Sequence, residues 1–165
     1  KVWNPVFYKL VKNLTNDSKL NIVSVSYAYF FLSAIVLIFF SYIGPFFYLL
    51  MVSPAYFSGE SMIPIVAFAY TIEAVRKVFV AYLFSENKVI LIAALGFVAI
   101  LINITLNYLL IPIYGVYGAA WATVLSYFIV TIITIHKSVT IFPMPWMSLS
   151  ISIERVRNIF KSQNW

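Results

Sequence analysis

Apolar residues dominate this chain in long blocks, and the blocks set its elements. Residues 22–43 form the first complete run, inside a stretch from Leu20 to Gly59 that carries no charge. A second block covers 60–84, a third 89–111 and a fourth 116–135, and between Lys88 and His136 there is again no charged residue. Each block holds about 20 residues or more, enough for a helix to cross ~30 Å of hydrocarbon. The pattern predicts an all-α integral membrane protein, one membrane domain over 1–165, with about four transmembrane helices in a bundle.

Polar and helix-breaking residues mark the expected connections. Residues 13–21 (NLTNDSKLN) read as a polar loop, and Gly44-Pro45 as the end or kink of the first span, because proline removes a backbone donor. Aromatic residues crowd 46–57, which suits the headgroup region of the membrane. Ser85-Glu86-Asn87-Lys88 forms an exit loop, and Pro112-Ile113-Tyr114-Gly115 a short turn that folds 101–127 into a transmembrane hairpin. Residues 1–14 and 151–165 carry apolar residues at helical spacing with basic residues between them, and are expected as N- and C-terminal amphipathic segments.

Composition narrows the class further. The chain is 63% hydrophobic and only 10% charged, against about a quarter charged in soluble domains. Cysteine is absent and histidine occurs once, so neither a thiolate nor a multi-histidine metal site is expected, and no cofactor is implied. The net charge of +6 would suggest nucleic acid in a soluble protein. Here the loop cations instead follow membrane topology. Lys1, Lys9, Lys12 and Lys19 precede the first span, Lys88 lies between the second and third, and Lys137, Arg155, Arg157 and Lys161 follow the fourth. The opposite turns, 44–59 and 112–115, hold neither Lys nor Arg. The positive-inside rule then puts both ends on the cytoplasmic side of a multi-pass protein. No cleavable signal peptide is visible, and the chain opens on Lys1 without an initiator Met, as a fragment does.

Glu73, Arg76 and Lys77 stand out inside the second block. Near a helix centre each charge costs about 2.5–3.5 kcal/mol, while each Val, Ile, Leu or Phe returns only about 0.3–0.6. Spacings of three and four residues let Glu73 pair with either base on one helical face. One positive charge remains, which makes Arg76 and Lys77 candidates for binding an anionic substrate, with Glu73 holding them; alternatively both cations snorkel to the cytoplasmic interface. Asn103 and Asn107, one turn apart, need hydrogen-bond partners in a dry setting and are expected to join helices. Gly115, Gly118 and Ala122 open the fourth block with a small-residue surface suited to close packing. No nucleophile with a partner base, phosphate loop or carboxylate pair argues for an enzyme.

The stretch NITLNYLLIPIYGVYGAAWATVLSY (103–127) resembles the C-terminal lobe of Wzx-type polysaccharide flippases in the multidrug/oligosaccharidyl-lipid/polysaccharide exporter superfamily. The likeness runs through Asn103, Asn107, Ile111, Pro112, Gly115, Gly118, Ala119, Ala120, Ala122, Thr123, Ser126 and Tyr127. WNPVFYKL near the start and PMPW at 143–146 are weaker echoes. The resemblance implies part of a transporter of about twelve to fourteen spans that moves undecaprenyl-pyrophosphate-linked oligosaccharide across the bacterial inner membrane. Implied partners are that lipid-linked oligosaccharide, membrane lipids and glycan polymerase or chain-length proteins, with no nucleic acid. Two other readings stay open: a cation-coupled multidrug exporter of the same superfamily, for which Glu73 is the one intramembrane acid, and a non-transporting membrane scaffold.

Overall fold

The computed structural model describes residues 15–146. They form α1 (Asn16–Met51), a 3-10 segment (Pro54–Met62), α2 (Ile63–Ser85), α3 (Val89–Tyr114) and α4 (Val116–Ile141), with no strand among the described residues. The amphipathic segments expected at 1–14 and 151–165 lie outside this range. α1, α3 and α4 are each long and apolar enough to cross a membrane. α2 has the length, at 23 residues, but carries Glu73, Arg76 and Lys77. The chain is an all-helical membrane protein.

The helices stand in a row. α1 packs on α2, α2 on α4, and α4 on α3, while α2 and α3 meet only lightly. α4 is therefore the shared partner, with buried residues from Gly118 to Ser138, whereas α3 buries only Leu95. Two clusters hold the row together. Leu83, Leu95 and Val130 join α2, α3 and α4, and Leu91, Ile92 and Ile102 pack against them. Ile22, Val78, Phe79, Tyr82 and Phe142 form the other, with Phe30 and Trp146 at its edge. Aromatic rings dominate this second core: Phe79 lies 5.1 Å from Trp146, and Tyr82 stacks on Phe142 at 5.7 Å. Outward faces of α1 and α3 present Phe31, Ile38, Phe39, Ile104 and Leu109, as contact with lipid requires.

Several boundaries differ from the sequence expectation, each for a local reason. The polar loop at 13–21 is mostly helix, because Thr15 caps α1 by accepting from the Ser18 amide at 3.1 Å, and Asp17 sits in the positive first turn. Gly44-Pro45 does not end α1, which runs on to Met51 over about 54 Å. Pro45 removes one hydrogen bond, and in apolar surroundings the remaining backbone groups still favour helix. Gly44 instead marks a close approach, since a Cβ there would lie 2.7 Å from Ile63 Cγ2. Residues 60–62 belong to the 3-10 segment, so α2 starts at Ile63 with Pro64 in its first turn.

α2 closes as expected at the 85–88 loop. The Lys88 backbone amide donates to the Leu83 carbonyl at 2.9 Å and the Asn87 amide to the Phe84 carbonyl at 3.1 Å, with Asn87 left-handed at φ 55°. The hairpin turn is tighter than 112–115: α3 passes through Pro112, and only Gly115, at φ 58°, separates it from α4. α4 outlasts its expected end at 135 and stops at Ile141, ahead of Pro143.

The hairpin is as closely packed as its small residues suggest. Gly118 is buried where a Cβ would come within 2.3 Å of the Leu110 carbonyl oxygen, a backbone atom that cannot step aside. Gly118→Ala is expected to lower the thermal unfolding midpoint in detergent, by the equivalent of about 1–3 kcal/mol. Gly96→Ala, where a Cβ meets nothing within 4 Å, should leave the midpoint unchanged or raise it. Equal midpoints for the two variants would remove close approach as the reason for glycine at 118.

Candidate functional site

Near the middle of α2, two of the three charges come together and one does not. Arg76 Nε donates to Glu73 Oε2 at 2.6 Å, and Arg76 Nη2 donates to Glu73 Oε1 at 2.7 Å. This fork-on-fork geometry engages both carboxylate oxygens, which explains why Lys77 is left outside the pair although its i,i+4 spacing permitted contact. The paired side chains are only 17% and 14% exposed, while Lys77 is exposed. Tyr127 of α4 lies within electrostatic reach of both Glu73 and Arg76. Its ring also meets Tyr70 edge-on at 6.4 Å.

A groove opens beside this cluster because α1 and α2 touch at two places and part between them. Toward the start of α1, Ser26 Oγ lies 3.2 Å from the Tyr82 hydroxyl, and the Phe30 and Phe79 rings are 6.3 Å apart. The second contact is Gly44 on Ile63. The space between them measures about 780 Å³, with Leu32, Val36, Leu37 and Phe40 on one wall and Val66, Ala67, Tyr70 and Ala74 on the other. Its hydroxyls are largely taken up by the chain's own backbone. Ser33 donates to Phe30 O at 2.8 Å, Thr71 to Ala67 O at 2.9 Å and Tyr48 to Tyr56 O at 3.0 Å. The groove therefore offers a hydrocarbon lining with few free polar atoms.

The two asparagines take different parts. Asn103 Nδ2 donates across to α4, to Ser126 Oγ at 3.2 Å and Thr123 Oγ1 at 3.5 Å. Asn107 does not cross; its amide donates back to Asn103 O and Oδ1, both at 2.9 Å, and so orients the asparagine that does. Ala122 is fully buried, and Gly115 supplies the turn.

No protein-family model matches the chain, and neither a curated protein nor a solved structure matches it. The arrangement must speak through its own chemistry: a mid-helix ion pair, an exposed lysine one residue on, and an apolar slot along the same helix.

Sequence reasoning missed the α1 wall of the groove, since a uniformly apolar helix gives no facial signal. It also missed two interhelical bonds from small polar residues, Ser26 to Tyr82 and Ser138 Oγ to Phe79 O at 3.2 Å. Ser138 lay beyond the expected end of the fourth span.

Breaking one side of the ion pair leaves a charge unpartnered in a mostly covered site, a loss of about 3–5 kcal/mol for buried pairs and less where lipid headgroups or water reach it. Glu73→Gln and Arg76→Gln are each expected to unfold at lower temperature in detergent than the double variant Glu73→Leu/Arg76→Leu, which removes both charges and keeps the volume. A double variant no more stable than either single one would mean that the pair does not compensate itself.

Proposed function

We propose that this chain is part of a membrane transporter that flips undecaprenyl-pyrophosphate-linked oligosaccharide across the bacterial inner membrane for polysaccharide biosynthesis, and that it is not an enzyme. The observation that carries the reading is the cationic cluster of Arg76 and Lys77 in the middle of α2, a position that hydrocarbon alone penalises. Pyrophosphate is a dense anion that must leave water to cross. Arginine meets such a group with two parallel hydrogen bonds and lysine with a point charge. Glu73 holds the arginine fork while the site is empty. An incoming pyrophosphate competes for that fork, with Lys77 as the unpaired charge that first attracts it. The likeness of 103–127 to Wzx-type flippases supports the same reading.

The cation-coupled exporter is less well supported, because Glu73 is already held by both oxygens. The scaffold reading has one observation in its favour, that the ion pair closes within a single helix. Substitution separates the two. In the transporter, Arg76→Ala should reduce glycan export far more than protein level, and Arg76→Lys, which keeps the charge without the fork, should fall between. Full export at normal protein level from Arg76→Ala/Lys77→Ala leaves the scaffold reading in place.

Orientation follows from charge. The ends of α1 and α4 that carry Lys19 and Lys137, and the 85–88 loop with Lys88, lie on one side of the row, which is assigned to the cytoplasm. With single cysteines at Ser58 and Glu86, an impermeant thiol reagent added to intact cells is expected to label position 58 alone. Labelling at 86 and not 58 reverses the assignment.

A further inference from the structure

We propose that the groove between α1 and α2 holds an acyl chain of a membrane phospholipid from the leaflet on the side of the 3-10 segment, with an ammonium headgroup beside Glu60. This site is independent of what the protein transports. Leu32, Val36, Phe40 and Tyr70 line the groove and are exposed, so the slot opens sideways into hydrocarbon, where no water is at hand to fill it. Its depth selects the leaflet. On α2 the lining runs from Met62 to Ala74, and Ala74 is the central residue of a helix that spans Ile63–Ser85. From Ile63 to Ala74 the helix rises about 17 Å, and one leaflet of a ~30 Å hydrocarbon core is about 15 Å deep. The slot therefore lies mainly in the half of the membrane away from the 85–88 loop. The contact of Phe30 with Phe79 stops it about one and a half turns beyond the midplane.

The outer end of the slot carries headgroup chemistry. Tyr48, Gly59 and Val116 line it, the Tyr48 hydroxyl donates to the Tyr56 carbonyl, and the hydroxyls of Ser61 and Tyr117 bond to each other. Such amphipathic rings sit at headgroup level. Glu60 stands between Gly59 and Met62, which both line the groove, and is half-buried. Among the described residues it is the one charge on this side of the membrane, since the nearest charged residues along the chain are Lys19 and Glu73 and the α3–α4 turn has none. An acid with no base beside it attracts an ammonium and repels a headgroup of net negative charge. Phosphatidylethanolamine meets both demands, an acyl chain for the slot and an ammonium for Glu60. Phosphatidylglycerol meets only the first.

The test uses the full chain in vesicles of equal parts phosphatidylethanolamine and phosphatidylglycerol. Benzoylphenylalanine replaces Met62 or Leu37 in the groove or, as control, Phe39, which is 52% exposed on the outer face. After photolysis, mass spectrometry identifies the captured lipid and the acyl carbon attached. Phosphatidylethanolamine is expected above its share of the bilayer at positions 37 and 62, and in bulk proportion at 39. Attachment at 62 should fall near the glycerol and at 37 nearer the methyl end, the order that a lipid of this leaflet imposes. Glu60→Gln should lower the enrichment about two- to fivefold, the range of a solvent-exposed ion pair. Glu60→Asp should retain it, which excludes misfolding as the cause, and Glu86→Gln should change nothing. Bulk proportion at 37, enrichment of phosphatidylglycerol there, the reverse carbon order, indifference to Glu60→Gln or a crosslink to a second copy each overturns the proposal. Glycan export by the Arg76 variants is read separately, so either result stands without the other.

Discussion

An unpaired backbone N–H or C=O in hydrocarbon costs several kcal/mol, and most of this architecture follows from that. It keeps α1 helical through Pro45 and α3 helical through Pro112, positions that would end a helix in water. It also compresses the connection between α3 and α4 to one glycine, since each further turn residue would expose polar backbone. The side chains obey the same demand. Ser24, Thr71, Thr105, Thr134 and Thr140 each donate to the carbonyl four residues earlier in their own helix. Few polar atoms are left to face lipid.

With backbone demand met inside each helix, association depends on shape and on the remaining polar contacts. α4 serves both neighbours because its small residues admit backbone on one side and its hydroxyls reach across. Gly118 lets Leu110 approach, Thr123 and Ser126 receive Asn103, and Ser138 bonds to Phe79 of α2. α1 joins the row through α2 and through the segment after α4: its aromatic rings pack near Ser26, Tyr27 donates to the Trp146 carbonyl, and Gly44 makes a close approach to Ile63. Two contacts with a gap between them produce the groove.

The charges of α2 sit where this scheme tolerates them. A bidentate pair within one helix neutralises itself without needing a second helix to stay in register. Lys77 is the exception, exposed and outside the pair. A purely structural ion pair explains Glu73 and Arg76; it gives no reason for a third charge.

Block lengths and charge placement alone determined the class: an all-helical membrane protein, with a hairpin between its third and fourth helices and a charged second helix. Those features are legible because hydrophobic length and the cost of charge are local properties. Spacing also put Glu73 within reach of both Arg76 and Lys77, since three or four residues on a helix bring side chains together without outside help. Tertiary structure decided the rest. Helix ends moved because proline's effect depends on its solvent, and Thr15 capped a stretch whose polarity suggested a loop. Which base Glu73 takes was settled by the fork matching both oxygens, a geometric preference that spacing leaves open. The groove is the clearest case: Leu32, Val36, Leu37 and Phe40 are indistinguishable in sequence from the lipid-facing residues beside them, and only the path of α2 against α1 makes them a wall.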